Sequence, residues 1–396
     1  MAYNPTTITP LATGYVPFAG AKPIKYLWVS PTGNDANSGS DAAHAFKTVH
    51  AAMAKAAPGT AVMVKAGTYT DSVRMKSGTA DKPVWLVSAD GEGAAKIKAP
   101  SADKPVIYGF GNDNMVIKGF EIIGGMDGIK FTQSGSYLVN LADNIVIQDN
   151  NIHGQRVDGI KVAQARNAVV VGNEIHDIKG ADEAIDIFYT RKGIVAHNEI
   201  DNIQGQGGII VKAGSENVKI TYNDIDHVQR GIVAGGWAGG NGENWPVKMG
   251  WQAKNLHVEG NYVHNTTKFA LLTQGAIDST ITKNAFLPNN SYFTVAATGA
   301  DNNGWQSSNI KFTNNIVQRD KWLADPGRDV TVNTGNVKTG AFDYARASEE
   351  HLDRAGAVLS AHGSAAGSDT SADAMHGDHL VALVGIVQSD PTSFVY

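Results

Sequence analysis

Residues 158–212 read DGIKVAQARNAVVVGNEIHDIKGADEAIDIFYTRKGIVAHNEIDNIQGQGGIIVK. Short runs of alternating apolar residues recur in this stretch, and a run closed by asparagine returns about every 24 residues along the chain. The recurring asparagines are Asn150, Asn173, Asn198, Asn223, Asn261, Asn284 and Asn314. A fixed period of this size predicts a solenoid in which each repeat forms one coil.

The repeats contain short apolar runs, many Gly and Asn residues and no helical pattern, which predicts two or three strands per coil of a parallel β-helix. Leucine-rich repeats would need a leucine framework that is missing here, and propeller blades are longer. The fold class is therefore all-β. We expect the recurring asparagines to adopt the left-handed conformation and to hydrogen-bond their counterparts in the next coil, as scaffold rather than site.

Length and composition fit one elongated domain, because the chain has 396 residues, 44 glycines and only 18% charged residues. We predict a β-helix over residues 26–340. Residues 26–100 are expected to form an N-terminal cap that contains a helix and covers the open first coil. Residues 1–25 are interpreted as an N-terminal extension, and residues 341–396 as a C-terminal helix with a small-residue tail.

Composition excludes several classes of function. Without cysteine, the protein has neither disulfides nor a thiolate metal site. The formal net charge is −5 and the basic residues are scattered, which argues against nucleic acid as the main partner. We expect no membrane insertion, and we expect a monomer. The opening MAYNPTTITPLATGY lacks a secretory-signal pattern, so removal of a signal, another export route and a phage particle stay open.

Aligning the apolar runs predicts two adjacent rows of side chains on one face. The first row is Asp127, Asp158, Glu183, Gly207 and Arg230, and the second is Lys130, Lys161, Asp186, Ile210 and Val233. Because neighbouring coils lie about 4.8 Å apart, residues at equivalent positions are close neighbours.

A carboxylate cluster follows from these rows, formed by Asp158, Asp182, Glu183 and Asp186. Carboxylates this close repel one another unless a cation neutralises them, and an oxygen-only set suits Ca²⁺. The alternative is a surface carboxylate ladder that Lys130 and Lys161 neutralise.

The acidic pattern also resembles a known family. An aspartate, an acidic pair 24 residues later and a further aspartate three residues on are similar to polysaccharide lyase family 9; here they are Asp158, Asp182 with Glu183, and Asp186. These are right-handed parallel β-helix enzymes that cleave acidic polysaccharides such as pectate with calcium. YLWVSPTGNDANSGS and PGTAVMVKAGTYT resemble the family's N-terminal cap, so the likeness spans about residues 26–320. Glu183 stands where the family has aspartate.

The resemblance implies that the acidic residues bind Ca²⁺ and that a lysine one coil later is the catalytic base; Lys212 matches best. In β-elimination the base removes the C5 proton of a uronic acid, while the cation neutralises the adjacent carboxylate. Arg230 either lowers the pKa of this lysine, binds a second sugar carboxylate or is itself the base.

Further residues are predicted to contact an acidic polysaccharide. Lys161 lies in the predicted groove, and a glycine-rich insertion after Arg230 carries Trp237, Trp245 and Trp251, whose rings could stack on sugars or pack against the coil. The histidines near the asparagine positions are interpreted as coil-surface residues with no other metal ligand nearby: His176, His197, His227, His257 and His264.

The sequence favours an extracellular, calcium-dependent lyase, and three alternatives stay open. A glycoside hydrolase of the phage-tailspike type would use two carboxylates as acid and base without metal. A uronate C5-epimerase would return the proton from the other side, and an adhesin would bind the polymer without changing it. A β-helix hosts all of these functions, so the site must decide.

Overall fold

The structure is a computed structural model that describes residue 6 and residues 18–135, 140–236, 249–288, 295–298, 304–317, 323–324, 330–335 and 337–338. The predicted C-terminal helix and tail lie outside these residues.

Thirty-four strands and one helix make up the regular structure of the described residues. The first half runs β1 (Lys25–Val29), α1 (Val49–Ala54), β2 (Thr60–Val64), β3 (Gly67–Thr70), β4 (Val73–Arg74), β5 (Val84–Ser88), β6 (Ala95–Lys98), β7 (Ile107–Phe110), β8 (Asp113–Lys118), β9 (Glu121–Ile123), β10 (Ile129–Thr132), β11 (Ala142–Gln148), β12 (Asn151–His153), β13 (Ile160–Val171), β14 (Glu174–His176), β15 (Glu183–Thr190), β16 (Gly193–Ala196) and β17 (Glu199–Asp201). The second half runs β18 (Gly207–Lys212), β19 (Ser215–Glu216), β20 (Val218–Thr221), β21 (Asp224–Ile225), β22 (Arg230–Gly235), β23 (Ala253–Lys254), β24 (His257–Glu259), β25 (Tyr262–His264), β26 (Phe269–Gln274), β27 (Ala276–Thr282), β28 (Ala285–Leu287), β29 (Val295–Thr298), β30 (Ser308–Thr313), β31 (Ile316–Val317), β32 (Leu323–Ala324), β33 (Val330–Thr334) and β34 (Val337–Lys338).

Apart from β19 and β23, which pair with each other, the strands stack in three parallel ladders, one for each side of a coil. The first ladder contains β4, β7, β10, β13, β15, β18, β22, β26, β29 and β32. The second contains β1, β2, β5, β8, β11, β13, β16, β20, β24, β27, β30 and β33. The third contains β3, β6, β9, β12, β14, β17, β21, β25, β28, β31 and β34. Each turn of the chain adds a strand to each ladder, which confirms the predicted parallel β-helix.

The core fills the centre of the coils. In the first ladder, one inward row consists of stacked aliphatic side chains: Ile129, Ile160, Ile185, Ile209, Ile232 and Leu271. All of them are fully buried, and burial of each such side chain contributes about 1.5–3 kcal/mol relative to exposure. The alternation that points these residues inward points their neighbours, including Lys161 and Asp186, outward.

The asparagine ladder exists, but its backbone differs from the expectation. The Asn173 side-chain oxygen accepts hydrogen bonds from both the backbone N–H and the side-chain amide of Asn150, at 3.1 and 3.0 Å, and the pattern repeats coil by coil. The left-handed conformation belongs to the preceding residue, as at Asp149 and His197. At the last repeat Asn314 takes this left-handed place, and Asn315 is the ladder member, not Asn314 as predicted.

The N-terminal part contains the predicted helix as α1. Its Thr48 cap accepts a hydrogen bond from Ala51 N–H, and the helix buries Val49 and Met53 in the common core. The strands on either side already pair in parallel with the later coils, so coil geometry begins at β1. Across the described ranges, no helix is long and apolar enough to cross a membrane.

Candidate functional site

The predicted register of the polar rows is confirmed. Lys130 pairs with Lys161, Lys161 with Asp186, and Asp186 with Ile210 in consecutive coils of the first ladder. Glu183 pairs with Gly207 in the adjoining row. These side chains therefore share the outer face of the first ladder.

Three carboxylates and two ammonium groups meet on this face. Asp158, Glu183 and Asp186 are buried, and each offers an oxygen within 4.8 Å of the other two. Lys161 Nζ donates to Asp158 Oδ2 at 3.0 Å and to Asp186 Oδ2 at 2.6 Å. Lys212 Nζ donates to Glu183 Oε1 at 2.8 Å and lies 3.3 Å from Asp186 Oδ1. We call these five residues the carboxylate–lysine cluster.

The cluster divides its carboxyl groups into two kinds. Burial, followed by the charge of Asp186, raises the pKa of Asp158 and raises that of Glu183 to about 8. Burial also acts to raise the pKa of Asp186, but Lys212 and Lys161 outweigh it and hold that pKa below its ordinary value. Asp186 is therefore the ionised centre, while Asp158 and Glu183 hold a proton more readily than ordinary carboxyl groups.

Both lysines keep their protons in this arrangement. Burial acts to lower the pKa of Lys212, but Asp186 and Glu183 outweigh it and raise it above its ordinary value. The same balance, with Asp186 and Asp158 as the partners, raises the pKa of Lys161. Lys161 thus neutralises carboxylates, as the alternative interpretation of the sequence has it.

Two predicted residues lie beside the cluster rather than in it. Asp182 directly precedes β15 and is only partly buried, and its carboxylate does not belong to the group formed by Asp158, Glu183 and Asp186. Arg230 begins β22 and donates from Nη1 to the backbone oxygen of Gln206 at 3.1 Å. Burial lowers its pKa, and the charge of Glu183 opposes this shift.

The coil before the cluster repeats its pattern with one pair. Lys130 Nζ donates to Asp127 Oδ2 at 2.8 Å, with Asp127 fully buried. A glycine follows both Asp127 and Asp158 because the next coil passes close by: a Cβ on Gly159 would lie 2.6 Å from the backbone oxygen of Ala184. In each DG pair the aspartate supplies the buried carboxylate, and the glycine leaves room for the backbone of the next coil.

The tryptophans are described only in part, since Trp237 and Trp245 lie outside the described residues. Trp251 is half-buried, with Lys254 Nζ 5.9 Å from its ring centroid. Phe188, which the sequence analysis missed, pairs with Lys212 in the next coil and is partly exposed. The alternation in EAIDIF places Phe188 on the same side as Asp186, so the sequence pattern could have predicted its position on this face.

The histidines occupy the coil surface, but one prediction about them is wrong. His227 lies with Asp201 and Asp226 in a second group whose possible ligand atoms are within 4.8 Å of one another. It therefore does have other potential metal ligands nearby. Asp201 ends β17, and Asp226 and His227 follow β21, so the third ladder brings side chains from separate repeats together. The His227 side chain is 63% exposed, and its Nδ1 lies 3.2 Å from Asp201 Oδ1 and 2.9 Å from Asp226 Oδ2.

Comparison with known proteins supports the fold. The family model described as "Right handed beta helix region" matches residues 98–244. An uncharacterized protein of Bacillus subtilis (strain 168), YwoF, is 32% identical over 135 residues, a match that covers 33% of this chain and 29% of that protein. The chain is thus a right-handed parallel β-helix that aligns with under a third of this relative's length.

Similar solved structures are distant in sequence. A glycoside hydrolase has a TM-score of 0.51 at 11% identity, with 81% of this chain and 97% of that chain covered. Pectate lyase Pel9A has a TM-score of 0.47 at 16% identity, with 83% of each chain covered. An alginate lyase from Paenibacillus sp. str. FPU-7 has a TM-score of 0.43 at 15% identity, with 66% of this chain and 95% of that chain covered. At 11% identity the likeness to the glycoside hydrolase concerns the fold alone.

Proposed function

We propose that the protein is a calcium-dependent polysaccharide lyase that cleaves a uronic-acid-containing polymer by β-elimination. The observation that supports this most is the contact of Lys212 with Glu183 and Asp186 within a buried group of three carboxylates. The candidate cation ligands and the proposed base thus lie together on an outward face. A polymer substrate is met outside the cell, so an extracellular location is part of the proposal.

The donor set fits calcium. Asp158, Glu183 and Asp186 would hold the ion through carboxylate oxygens, the ligands that Ca²⁺ prefers. Asp186 Oδ1 is buried and accepts no hydrogen bond from any described residue, although the Lys212 ammonium lies 3.3 Å away. This oxygen therefore has capacity for another partner. When bound, Ca²⁺ would supply positive charge that neutralises the uronate carboxylate and the charge developing beside it.

Lys212 would act as the base that takes the C5 proton. While Asp186 and Glu183 hold its ammonium group, Lys212 keeps its own proton. It becomes a base only when those carboxylates are neutralised in another way, which ties elimination to cation binding. The C5 proton passes to Lys212 Nζ. The electron pair of the broken C5–H bond forms the C4–C5 double bond, and the C4–O bond breaks. The departing oxygen takes a proton from solvent.

One observation favours a second candidate, a glycoside hydrolase. The pKa of Glu183 is raised to about 8 while that of Asp186 is lowered, and two carboxyl groups pushed apart in this way are the pattern of an acid and its partner carboxylate. In that reaction Glu183 would protonate the leaving oxygen, and no cation would be required.

The mass of the products separates these candidates. The protein is incubated with pectate, alginate and bacterial exopolysaccharides, and the oligosaccharides are analysed by mass spectrometry. The proposal predicts that each cleavage gives one fragment with an unsaturated non-reducing end and one with an ordinary reducing end, and that no water is gained at the cleaved bond. Products with one water added per cleaved bond would overturn it in favour of the hydrolase. Unchanged mass and chain length with C5 centres that NMR shows to be inverted would indicate the epimerase, and bound but unchanged polymer the adhesin.

A further inference from the structure

An aromatic and basic surface lies on the outer face of the first ladder, on the N-terminal side of the carboxylate–lysine cluster. Phe110 is 39% exposed, and its ring centroid lies 5.5 Å from that of Tyr108 at a tilt of 58°. The Arg74 guanidinium carbon lies 5.9 Å from the centroid of Phe110. Lys76, also exposed, follows β4. We call Arg74, Lys76, Tyr108 and Phe110 the upstream patch.

The upstream patch continues the site row without interruption. Arg74 pairs with Tyr108, and Tyr108 pairs with Lys130, in consecutive coils. Lys130 leads through Lys161 to Asp186 in the same row. Tyr108 is thus three coils from Asp186, or roughly 14 Å at the usual strand spacing. A polymer that lies along this face would reach both places.

Folding does not explain the exposure of Phe110. The inward positions of β7 and β10 are already filled by Ile107 and Phe131, both fully buried. Among the described residues, the other exposed large hydrophobic side chains are Ile24 and Tyr26, at the first coil. Phe110 is the one on the site face, held beside a cation. A ring and a guanidinium group fixed together can stack on a sugar and bind its carboxylate.

The other end of the row has a different character. Beyond Asp186 the row continues with Ile210, Val233 and Leu272, which are buried and form a small apolar cluster against Phe269. The cationic side chains of this row that could meet a polyanion therefore lie on the N-terminal side. Arg74 and Lys76 are exposed there, and Lys130 is partly exposed.

We propose that the upstream patch is a binding subsite for an acidic polysaccharide, remote from the bond that is cleaved. Phe110 and Tyr108 stack on a sugar ring, and Arg74 binds the carboxylate of a uronate residue. The subsite deepens the proposed function and rests on it for the identity of the ligand class. It also implies that the polymer runs along the coils towards the N-terminus from the carboxylate–lysine cluster.

Affinity electrophoresis tests binding without relying on catalysis. Native gels that contain pectate, alginate or a neutral dextran are run with the wild-type protein, Phe110→Ala and Arg74→Gln. We expect retardation of the wild type by an acidic polymer and not by dextran, and a dissociation constant raised about five- to tenfold in each variant. Tyr26→Ala and Lys98→Gln, which remove an exposed ring and an exposed cation elsewhere, should migrate like the wild type. Circular dichroism confirms that each variant is folded.

The outcomes separate the subsite from the reaction. Equal retardation of the wild type, Phe110→Ala and Arg74→Gln would overturn the subsite. A wild type that no acidic polymer retards would overturn it as well. Neither result contradicts the lyase proposal. Weaker retardation of both variants, with no unsaturated product from the wild type, would support the subsite and reject the lyase. If both hold, the two variants should raise KM for polymer with little change in kcat.

Discussion

Asp186 lies between the two ammonium groups of the site, with Lys161 Nζ at 2.6 Å and Lys212 Nζ at 3.3 Å. The two lysines differ in their other partner, because Lys161 also binds Asp158 and Lys212 also binds Glu183. In the proposed elimination Lys212 is the base. Lys161 instead holds the cluster together and would meet the substrate's negative charge.

Replacing the base should abolish most turnover. We expect Lys212→Ala to lower kcat about 10²–10⁴-fold, the usual contribution of a general base, while calcium binding measured by calorimetry persists. Lys212→Arg keeps the charge but cannot lose a proton at neutral pH, so it should be equally inactive. Lys179→Ala, an exposed lysine near the cluster in sequence, serves as the control. Full activity in Lys212→Ala together with loss in Arg230→Ala would move the role to the arginine.

Acid should weaken the fold through Glu259. Its hydrogen bond with His257, followed by that from Lys283, lowers the pKa of Glu259 to about 2, while Tyr222 is a further neighbour that its charge affects. A lowered pKa stabilises the fold above the ordinary value of 4.5, and this contribution is lost as the pH falls towards about 2. Urea unfolding should show Glu259→Gln less stable by about 1–2 kcal/mol at pH 7, after allowance for solvent screening. A difference that stays constant down to pH 2 would contradict this account.

Sequence spacing predicted the meeting of Asp158, Glu183 and Asp186 because side-chain alternation and coil length together fix the register. Asp182 is bonded to the next coil through its backbone oxygen, which accepts the Gln206 N–H, but its carboxylate lies outside the group of three, so its predicted role as a ligand stays a prediction. Sequence spacing missed the left-handed residue before each ladder asparagine, since Asp149, Gly172 and Tyr222 occupy that position and share no side-chain type.

At the scale of the elements, one asparagine ties consecutive coils together. Asn198 is 1% exposed, donates to Val170 O at 3.0 Å and to Asn223 Oδ1 at 2.9 Å, and accepts the backbone N–H of Asn173. Removing its side chain leaves that buried N–H without an acceptor.

We therefore expect Asn198→Ala to lower the free energy of unfolding by about 2–4 kcal/mol. Asn151→Ala, at a position with ordinary backbone conformation, removes a surface amide that donates to Glu174 and should cost at most about 1 kcal/mol. Thermal and urea unfolding of both variants measure the difference. Similar decreases in the free energy of unfolding of the two variants would show that the buried asparagine ladder stabilises the fold no more than a surface amide does.

For the whole molecule, repetition explains why the architecture was predictable. One strand per ladder per coil follows from the asparagine period and the apolar alternation, and the stacked isoleucines fill the centre that this geometry leaves. The upstream patch could not be predicted in this way. Tyr108 and Phe110 stand in a coil before the asparagine repeat becomes clear, so their register with Lys130 emerges only from the strand pairing.

The calcium dependence of elimination tests the central claim most directly. The absorbance of unsaturated products is followed with an acidic polysaccharide in calcium, in EDTA, and after calcium is restored, for the wild type and for Asp186→Asn. We predict that EDTA stops the rise in absorbance, that calcium restores it, and that Asp186→Asn needs at least about tenfold more calcium, because one ligand loses its charge. An unchanged rate of absorbance increase in EDTA would contradict the account.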